Sequence, residues 1–200
     1  MSIVRFPAAV TYIYRSALFR LNSSRQSVCL TFDDGPHPAS TPEILGILRK
    51  YSIRAIFFCT GRNALLYPEM MAGIRNAGHV TGNHSFSHYD GFFTATRKYL
   101  EDVEKASELT SSSLFRPPYG RMRLRQYHNL RGKYSIMMWD LMAEDYSARA
   151  AGADITAKLL KKIRPGSVIT FHDRPDCLAK NCLEGFIAGA FSREYEFVLP

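Results

Sequence analysis

The chain alternates between short apolar runs and longer amphipathic segments. The apolar runs have strand length and end in turn residues or polar groups, which predicts strands at 27–32, 53–59, 79–83, 113–116, 134–140, 166–172 and 195–199. Helix-like segments separate them, near 42–51, 63–77, 94–110, 121–131, 153–163 and 178–190. Strict alternation implies parallel strand pairing with right-handed crossovers. The pattern therefore predicts an α/β fold, which suits a closed or nearly closed barrel as well as an open sheet.

The first 25 residues have a different pattern, because aromatic residues alternate with isolated arginines. No acid precedes Asp33, whereas four arginines do: Arg5, Arg15, Arg20 and Arg25. The apolar runs are too short to span a bilayer and form no clean signal-peptide core, so the compartment is unknown and cytoplasmic by default. We interpret residues 1–25 as a segment packing on a single domain at 26–200. The alternative is an interfacial segment that makes weak contact with a membrane surface.

Composition narrows the class of protein only slightly. The chain has 200 residues, of which 46% are hydrophobic and 22% charged, as in an ordinary globular domain. Its net charge of +8 permits an acidic partner, but no dense Lys/Arg run of the kind that binds nucleic acid occurs. We therefore expect no nucleic-acid partner. We also expect the protein to be a monomer. The four cysteines have no usual zinc-ligand spacing and are predicted to be free thiols: Cys29, Cys59, Cys177 and Cys182.

Polar and titratable groups lie at or just after the ends of five of the predicted strands, and this clustering is the main functional observation. In parallel α/β folds the carboxyl ends of the strands meet at one edge, where functional residues gather. The groups at these ends are Asp33 and Asp34; His84 and His88; Arg116 and Tyr119; Trp139, Asp140 and Asp145; and His172 and Asp173. The sequence therefore predicts one polar site built from several strands.

Two histidines and a carboxylate within that group have the composition of a metal site. His84 and His88 are four residues apart, so a helical turn after His84 would point both imidazoles the same way. Either Asp33 or Asp34 would supply the carboxylate, leaving open positions for water and substrate. The spacing alone is weak, but joined to two strand-end aspartates it predicts a divalent metal, with zinc favoured and cobalt, manganese or nickel as alternatives.

The motifs TFDDGP, HSFSH, RPPYG and ITFHD, in this order, resemble the signature motifs of the polysaccharide deacetylases, carbohydrate esterase family 4. The resemblance covers about residues 26 to 199. It implies a distorted (β/α) barrel with about seven parallel strands, and metal-dependent removal of acetyl groups from a sugar polymer or oligomer, most often of the N-acetylglucosamine type. The expected partner is therefore a glycan substrate.

The resemblance also implies roles for individual residues. Asp34, His84 and His88 would bind the metal, and Asp33 would be the general base that accepts a proton from the attacking water. His172 would be the general acid. Arg116 would orient Asp33, and Asp145 would orient His172. The backbone N–H of Tyr119 would help to bind the oxyanion.

Three residues depart from the family pattern and bear on the acyl pocket. In the fourth motif, Met142 takes an inner position and Tyr146 stands where tryptophan is usual. In the fifth motif, Thr170 replaces the usual leucine, which would place a hydroxyl where an apolar side chain packs the acetyl methyl. Tyr146 can still form an aromatic wall, and Trp139, the only tryptophan, either lines this pocket or belongs to the core.

Other activities remain compatible with the same residues. One alternative is a hydrolase that cuts a non-peptide C–N bond in a small molecule. Another is a non-catalytic module that binds a glycan on the same fold. The sequence does not choose among peptidoglycan, chitin-like oligomers and acetylated xylan, nor between N-acetyl and O-acetyl groups.

Overall fold

The computed structural model describes residues 5–23, 25–146 and 151–200. Within these ranges the strands are β1 Ser27–Asp33, β2 Ile56–Cys59, β3 Val80–Asn83, β4 Leu114–Phe115, β5 Ser135–Ile136, β6 Leu141–Met142, β7 Val168–His172 and β8 Glu196–Phe197. The helices are α1 Ala8–Ile13, α2 Thr41–Lys50, α3 Gly61–Leu66, α4 Pro68–Asn76, α5 Thr96–Thr110, α6 Leu124–Leu130, α7 Gly152–Lys162 and α8 Ala179–Phe191, with a 3-10 turn at Pro118–Gly120.

All paired strands are parallel, and β1 lies near the centre of the sheet. The strand order is β5-β4-β3-β2-β1-β7-β6, and β8 pairs with the start of β1. Asp33 is in register with Phe58 of β2 and with His172 of β7. The carboxyl ends of these central strands therefore lie at one level, which brings their terminal side chains to a common rim.

The two faces of β1 have different surroundings, as the two-residue period of a strand requires. Val28, Leu30 and Phe32 belong to the main core, with side chains of α2, α7 and α8. The Phe32 ring stacks between Phe57 of β2 and Phe171 of β7, with centroids 4.9 and 6.0 Å away. The intervening residues of β1 face the inside of the curled sheet, where polar as well as apolar groups are buried.

The sheet does not close on itself, because its edge strands β5 and β6 are not paired. The chain before β1 fills this gap. The Leu18 N–H donates to the Ile136 carbonyl at 2.8 Å, and the Met138 N–H donates to the Leu18 carbonyl at 2.8 Å. The Leu21 N–H then donates to the carbonyl of Gly166, just before β7. The segment thus satisfies backbone groups on both sides of the opening.

The predicted α/β class with about seven parallel strands is confirmed, and two predicted elements differ. The expected strand at 134–140 is shortened to β5, and β6 follows just beyond it, at Leu141–Met142, on the opposite edge of the sheet. The expected helix at 63–77 is two helices, because Pro68 begins α4 and cannot continue α3. All four cysteines are free and buried, as predicted. Within the described residues, every helix is too short or too polar to cross a membrane.

Candidate active site

The two aspartates at the end of β1 have separate environments. Asp33 is on the inner face, where its Oδ1 accepts a hydrogen bond of 2.7 Å from Nη1 of Arg116. Both side chains are buried, at 4% and 0% exposure. The next residue, Asp34, has a φ of 76°, so the backbone turns and sends its carboxylate elsewhere. Adjacent acids are therefore tolerated because each faces its own partners.

Arg116 is the centre of a buried network inside the curled sheet. Its Nε donates to the Met137 carbonyl at 3.0 Å, and its Nη2 donates to the Met138 carbonyl at 2.8 Å. Burial lowers the pKa of the guanidinium, and the carboxylate of Asp33 opposes that effect. A guanidinium holding a carboxylate and two carbonyls in fixed directions is a rigid support for that carboxylate.

Thr170 belongs to this network and does not line the cavity, which corrects the expected contact with an acyl group. Its hydroxyl lies 3.0 Å from the Thr31 hydroxyl and accepts a 3.0 Å hydrogen bond from Arg116 Nη1. The side chain is fully buried. Thr170 lies on the inner face of β7, where its hydroxyl binds the arginine and is not part of the cavity lining.

Asp34, His84 and His88, which the sequence predicts to be metal ligands, lie close together at the rim. Their ligand atoms all lie within 4.8 Å of one another. Oδ1 of Asp34 is 3.0 Å from Nε2 of His88 and 3.5 Å from Nε2 of His84, yet it is buried without a hydrogen-bond partner. Burial would raise the pKa of Asp34, but the two imidazoles and the charge of His172 hold it well below its usual value.

The chemistry of this donor set fits a divalent metal ion. Nδ1–H of His84 donates to the Arg116 carbonyl at 2.8 Å, and its Nε2 lies 3.5 Å from Oδ1 of Asp34. Ligating histidines are commonly fixed in this way by a hydrogen bond from the second ring nitrogen. One carboxylate oxygen without a partner and two imidazole nitrogens therefore have the composition and the spacing of a three-ligand metal site.

The two histidines meet without the predicted helical turn, because the 84–88 segment is a loop. Ser85 and His88 both have positive φ angles, of 58° and 56°. Oδ2 of Asp102 accepts hydrogen bonds from the backbone N–H groups of Phe86 and Ser87, and the Ser85 hydroxyl accepts one from the His88 N–H. These bonds bring the imidazole centroids to 5.0 Å from each other. The spacing was informative, but the helical reason for it was wrong.

His172 and Asp145 form a second buried pair at the same rim. Nδ1–H of His172 donates to Oδ1 of Asp145 at 2.7 Å, and the His172 backbone N–H donates to Oδ2 at 2.9 Å. Burial would lower the pKa of His172, but the charge and hydrogen bond of Asp145, with smaller effects of Asp34 and Asp33, raise it to about 9. The imidazole is thus held protonated at neutral pH.

A cavity of about 390 Å³ joins these groups. It is lined by Asp34, His84, His88, Tyr119, Arg121, Trp139, Met142, Tyr146, His172 and Arg174. The predicted metal ligands, the predicted acid and four aromatic or apolar side chains therefore share one space. Tyr119 is 54% exposed and has a φ of 60°. Its ring meets His88 at 4.7 Å, and the Tyr146 ring meets His172 at 4.9 Å.

Sequence reasoning missed two arginines of this wall. Arg121 pairs with Asp90 at 2.5 Å. Arg174 pairs with Asp176 at 2.5 Å and has its Nη1 3.6 Å from Oδ2 of Asp34. Each arginine directly follows a recognised motif, RPPYG or ITFHD, so adjacency to the motifs was the available signal. A second cavity of about 310 Å³ adjoins the first at Asp34, His88, Tyr119 and Arg174.

The two remaining acids that the sequence places at strand ends, Asp140 and Asp173, lie outside the cavity lining. Asp140 is buried and accepts hydrogen bonds from Arg164, Arg5 and Ser167, away from the cavity lining. Asp173 accepts hydrogen bonds of 2.6 Å from the hydroxyls of Ser40 and Thr41. Asp173 anchors the loop after β1 at the rim. Asp140 directly precedes β6 and binds residues just before β7, so it lies at the amino-terminal end of these strands and not at the rim where the sequence places it.

Comparisons with known sequences agree with this geometry. Residues 20–134 match the family described as polysaccharide deacetylase. The chain is 33% identical over 159 residues to the peptidoglycan-N-acetylglucosamine deacetylase of Bacillus cereus, covering 76% of this chain and 58% of that protein. It is 32% identical over 163 residues to the chitooligosaccharide deacetylase of Azorhizobium caulinodans, covering 77% of each. The chain thus spans little more than half of the first relative and most of the second.

Solved structures give the same result. The Bc1960 peptidoglycan N-acetylglucosamine deacetylase, in complex with 4-naphthalen-1-yl-N-oxidanyl-benzamide, superimposes with a TM-score of 0.89 at 28% identity, covering 96% of this chain and 94% of that one. Peptidoglycan deacetylase PdaC from Bacillus subtilis gives 0.77 at 27% identity, covering 89% of each. BA3943 of Bacillus anthracis, a pseudoenzyme, shares the fold at 22% identity, with a TM-score of 0.77, covering 90% of this chain and 65% of that one. By motif order, fold and sequence match, this chain belongs to the polysaccharide deacetylase family.

Proposed function

We propose that this chain is a metal-dependent deacetylase that removes acetyl groups from N-acetylglucosamine-type sugars of a glycan. The observation that carries the proposal is that three groups of side chains lie at one rim. These are the Asp34, His84 and His88 ligand set, the carboxylate of Asp33 held by arginine, and the imidazole of His172 held by Asp145. The named activities of the relatives, on peptidoglycan and chitooligosaccharides, support this substrate class.

The resident cation would be held by Asp34, His84 and His88, with zinc best suited to two imidazoles and one carboxylate. Bound there, a divalent ion supplies Lewis acidity, which polarises the acetyl carbonyl and makes the attacking water more acidic. The unpartnered oxygen of Asp34 supports this assignment, because a buried anionic oxygen needs a compensating charge.

Asp33 would accept the proton of the attacking water. The bond from Arg116 fixes one of its carboxylate oxygens and thereby aims the other. Because Asp33 directly precedes Asp34 in the chain, the base would lie beside the metal ligand set. Holding a base at a fixed place and angle removes the entropic cost of finding that arrangement in the transition state.

His172 would donate a proton to the leaving amine nitrogen as the C–N bond breaks. An amine is a poor leaving group unless it is protonated, so an imidazolium is needed at the working pH. The raised pKa of His172, about 9, provides it. The products are acetate and a free amine, and the two protons moved by Asp33 and His172 balance the reaction.

The carbonyl oxygen and the methyl group would be held by the cavity wall. The Tyr119 backbone N–H, in a turn with positive φ, would donate to the developing oxyanion. Trp139, Met142 and Tyr146 supply apolar and aromatic surface for the acetyl methyl. With Thr170 withdrawn from the cavity, Met142 is the aliphatic side chain of this wall.

The test is acetate release by the purified chain with zinc or cobalt, beside a chelated sample. The substrates are N-acetylglucosamine oligomers, peptidoglycan and acetylated xylan. Asp33→Asn is expected to lower kcat by about 100-fold or more, because the base is lost. Asp140→Asn is the matched control, since Asp140 is equally buried and also paired with arginine, but outside the cavity.

The outcomes separate the alternatives. Metal-dependent release that Asp33→Asn abolishes and Asp140→Asn retains supports the proposal, and the polymer that responds identifies the glycan. Release only from short or non-glycan amides would favour a small-molecule hydrolase. Binding of oligomers with zinc present and no release would indicate a non-catalytic module and would refute the proposed reaction.

A further inference from the structure

The wall of the catalytic cavity has a support that comes from the extreme start of the described chain. Phe6 is 8% exposed, and its ring centroid lies 4.7 Å from that of Trp139. Phe6 also meets Phe19 edge-on at 5.2 Å. Together with Met138 and Met142, these rings form a separate apolar cluster behind the cavity. Trp139 and Met142 face the cavity on one side and this cluster on the other.

Trp139 is clamped between Phe6 and the turn that follows Arg116. Gly120 has a φ of 64° and no side chain. A Cβ there would overlap the Trp139 ring, being 2.6 Å from its Cζ3, and would lie 2.9 Å from Cζ of Phe6. The tryptophan and the phenylalanine therefore pack directly on the backbone of this glycine, with no space between them. A glycine is required here both by conformation and by the close approach.

The neighbour of Gly120 is Tyr119, whose position matters for the proposed reaction. Its backbone N–H is the proposed oxyanion donor, and its ring packs on His88 at 4.7 Å. A shift of Trp139 would release Gly120 and allow Tyr119 to move. Contacts therefore run without a gap from Phe6 through Trp139 and Gly120 to the group that would face the substrate carbonyl.

We propose that Phe6 is a positioning residue of the active site, which holds Trp139 against Gly120 and so fixes the Tyr119 turn. Phe6 lies outside residues 20–134, which match the family. The kinetic part of this inference rests on the proposed deacetylase function. The structural part does not, because it concerns the order of Trp139 itself.

The chain offers a direct probe, since Trp139 is its only tryptophan. We would compare Phe6→Ala and Phe6→Leu with wild type by intrinsic fluorescence, acrylamide quenching and steady-state kinetics. Phe197→Ala is the matched control: Phe197 also has two aromatic neighbours, Phe191 at 5.2 Å and Phe186 at 6.4 Å, in a different cluster. The melting temperature of each variant is measured by thermal unfolding. All comparisons are then made at a temperature at which every variant is folded.

For Phe6→Ala we expect red-shifted emission, stronger quenching and a kcat about tenfold lower, with KM within about twofold. A misplaced oxyanion donor affects the transition state more than substrate binding, and small displacements have effects of this order. Phe6→Leu should restore part of kcat and of the emission. Phe197→Ala should lose thermal stability while keeping wild-type kcat and emission.

Unchanged emission in Phe6→Ala, or a kcat loss no larger than that of Phe197→Ala, would overturn the inference. If Phe6→Ala does not fold, Phe6→Leu decides by the same two readouts, with wild-type values refuting the role. If the wild-type protein releases no acetate, the proposed function fails. Emission and quenching then decide alone whether Phe6 holds Trp139.

Discussion

Replacing Asp145 by asparagine is expected to lower the pKa of the His172 imidazole and to shift the pH range in which the protein works. The substitution keeps the shape of the side chain and removes its charge. In the wild type both carboxylate oxygens of Asp145 accept hydrogen bonds from His172, one from Nδ1–H and one from the backbone N–H. Asp145 is fully buried, so its charge is poorly screened by water.

The magnitude follows from the two pKa values. An unperturbed histidine has a pKa of 6.5, and that of His172 is raised to about 9. At 1.36 kcal/mol per pKa unit, the difference corresponds to about 3 kcal/mol in favour of the charged form in the folded protein. Asp145 is the largest of the groups that raise this pKa, ahead of Asp34 and Asp33, and it acts against burial, which lowers the pKa.

The sign of the effect on stability is definite. Because the folded pKa lies above the unfolded one, the contribution is fully present below pH 6.5 and is lost as pH rises through about 9. Asp145→Asn should therefore flatten the fall in the free energy of unfolding between pH 6 and pH 10. If its His172 pKa returns to about 6.5, only about a tenth of the imidazole is protonated at pH 7.5, and kcat falls about tenfold.

Two measurements check this prediction. NMR titration of the imidazoles in chelated protein gives the pKa of His172 without a bound cation, and urea denaturation at pH 6 and pH 10 gives the stability difference. His172→Gln serves as the reference that has no titrating group. A His172 pKa near 9 in Asp145→Asn, or an undiminished pH dependence of stability, would refute the electrostatic role given to Asp145.

Three further variants test the site and its frame. Arg116→Lys should lower the free energy of unfolding by about 3 kcal/mol or more, because an ammonium cannot replace the forked guanidinium that holds the buried carboxylate; urea denaturation measures this. Asp34→Asn should abolish the rise in melting temperature on adding zinc, since a charged ligand is lost. Gly35→Ala should lower the free energy of unfolding by about 1–3 kcal/mol, because a Cβ would lie 2.8 Å from Cγ of Asp173. Gly46→Ala, where a Cβ would have no heavy atom within 4 Å, should instead raise it by about 0.5–1 kcal/mol by stabilising α2.

Each of these has a contrary result. Wild-type stability in Arg116→Lys would mean that the buried network does not depend on the guanidinium shape. A zinc-dependent rise in melting temperature that survives in Asp34→Asn would place the cation on other ligands. Equal stabilities of the Gly35 and Gly46 variants would show that the loop after β1 gives way without cost.

The sequence by itself determined the class of fold and most of the site. Alternation of apolar runs with amphipathic segments gives a parallel sheet, and in a parallel sheet the residues after each strand share one edge. Asp34, His84, His88 and His172 could be grouped for this reason, without knowing any distance. Short-range patterns of this kind depend only on strand and helix periodicity and on local motifs.

The motifs predicted which residues meet at the rim, but not the local backbone geometry that brings them together. His84 and His88 meet as expected, but through a loop held by Asp102 and Ser85 rather than through a helical turn. Asp102 lies on α5, well beyond the motif. The spacing between the histidines was thus a correct indication with an incorrect local reason, because the loop is shaped by a distant helix.

Only the tertiary structure decided which side chains face the cavity. Thr170 is withdrawn from it by Arg116, 54 residues away along the chain, while Arg174 and Phe6 are brought to its wall and its back. These placements depend on the curl of the sheet, on the gap left between β5 and β6, and on the segment that fills it. Such contacts join residues far apart in sequence, and no periodicity along the chain encodes them.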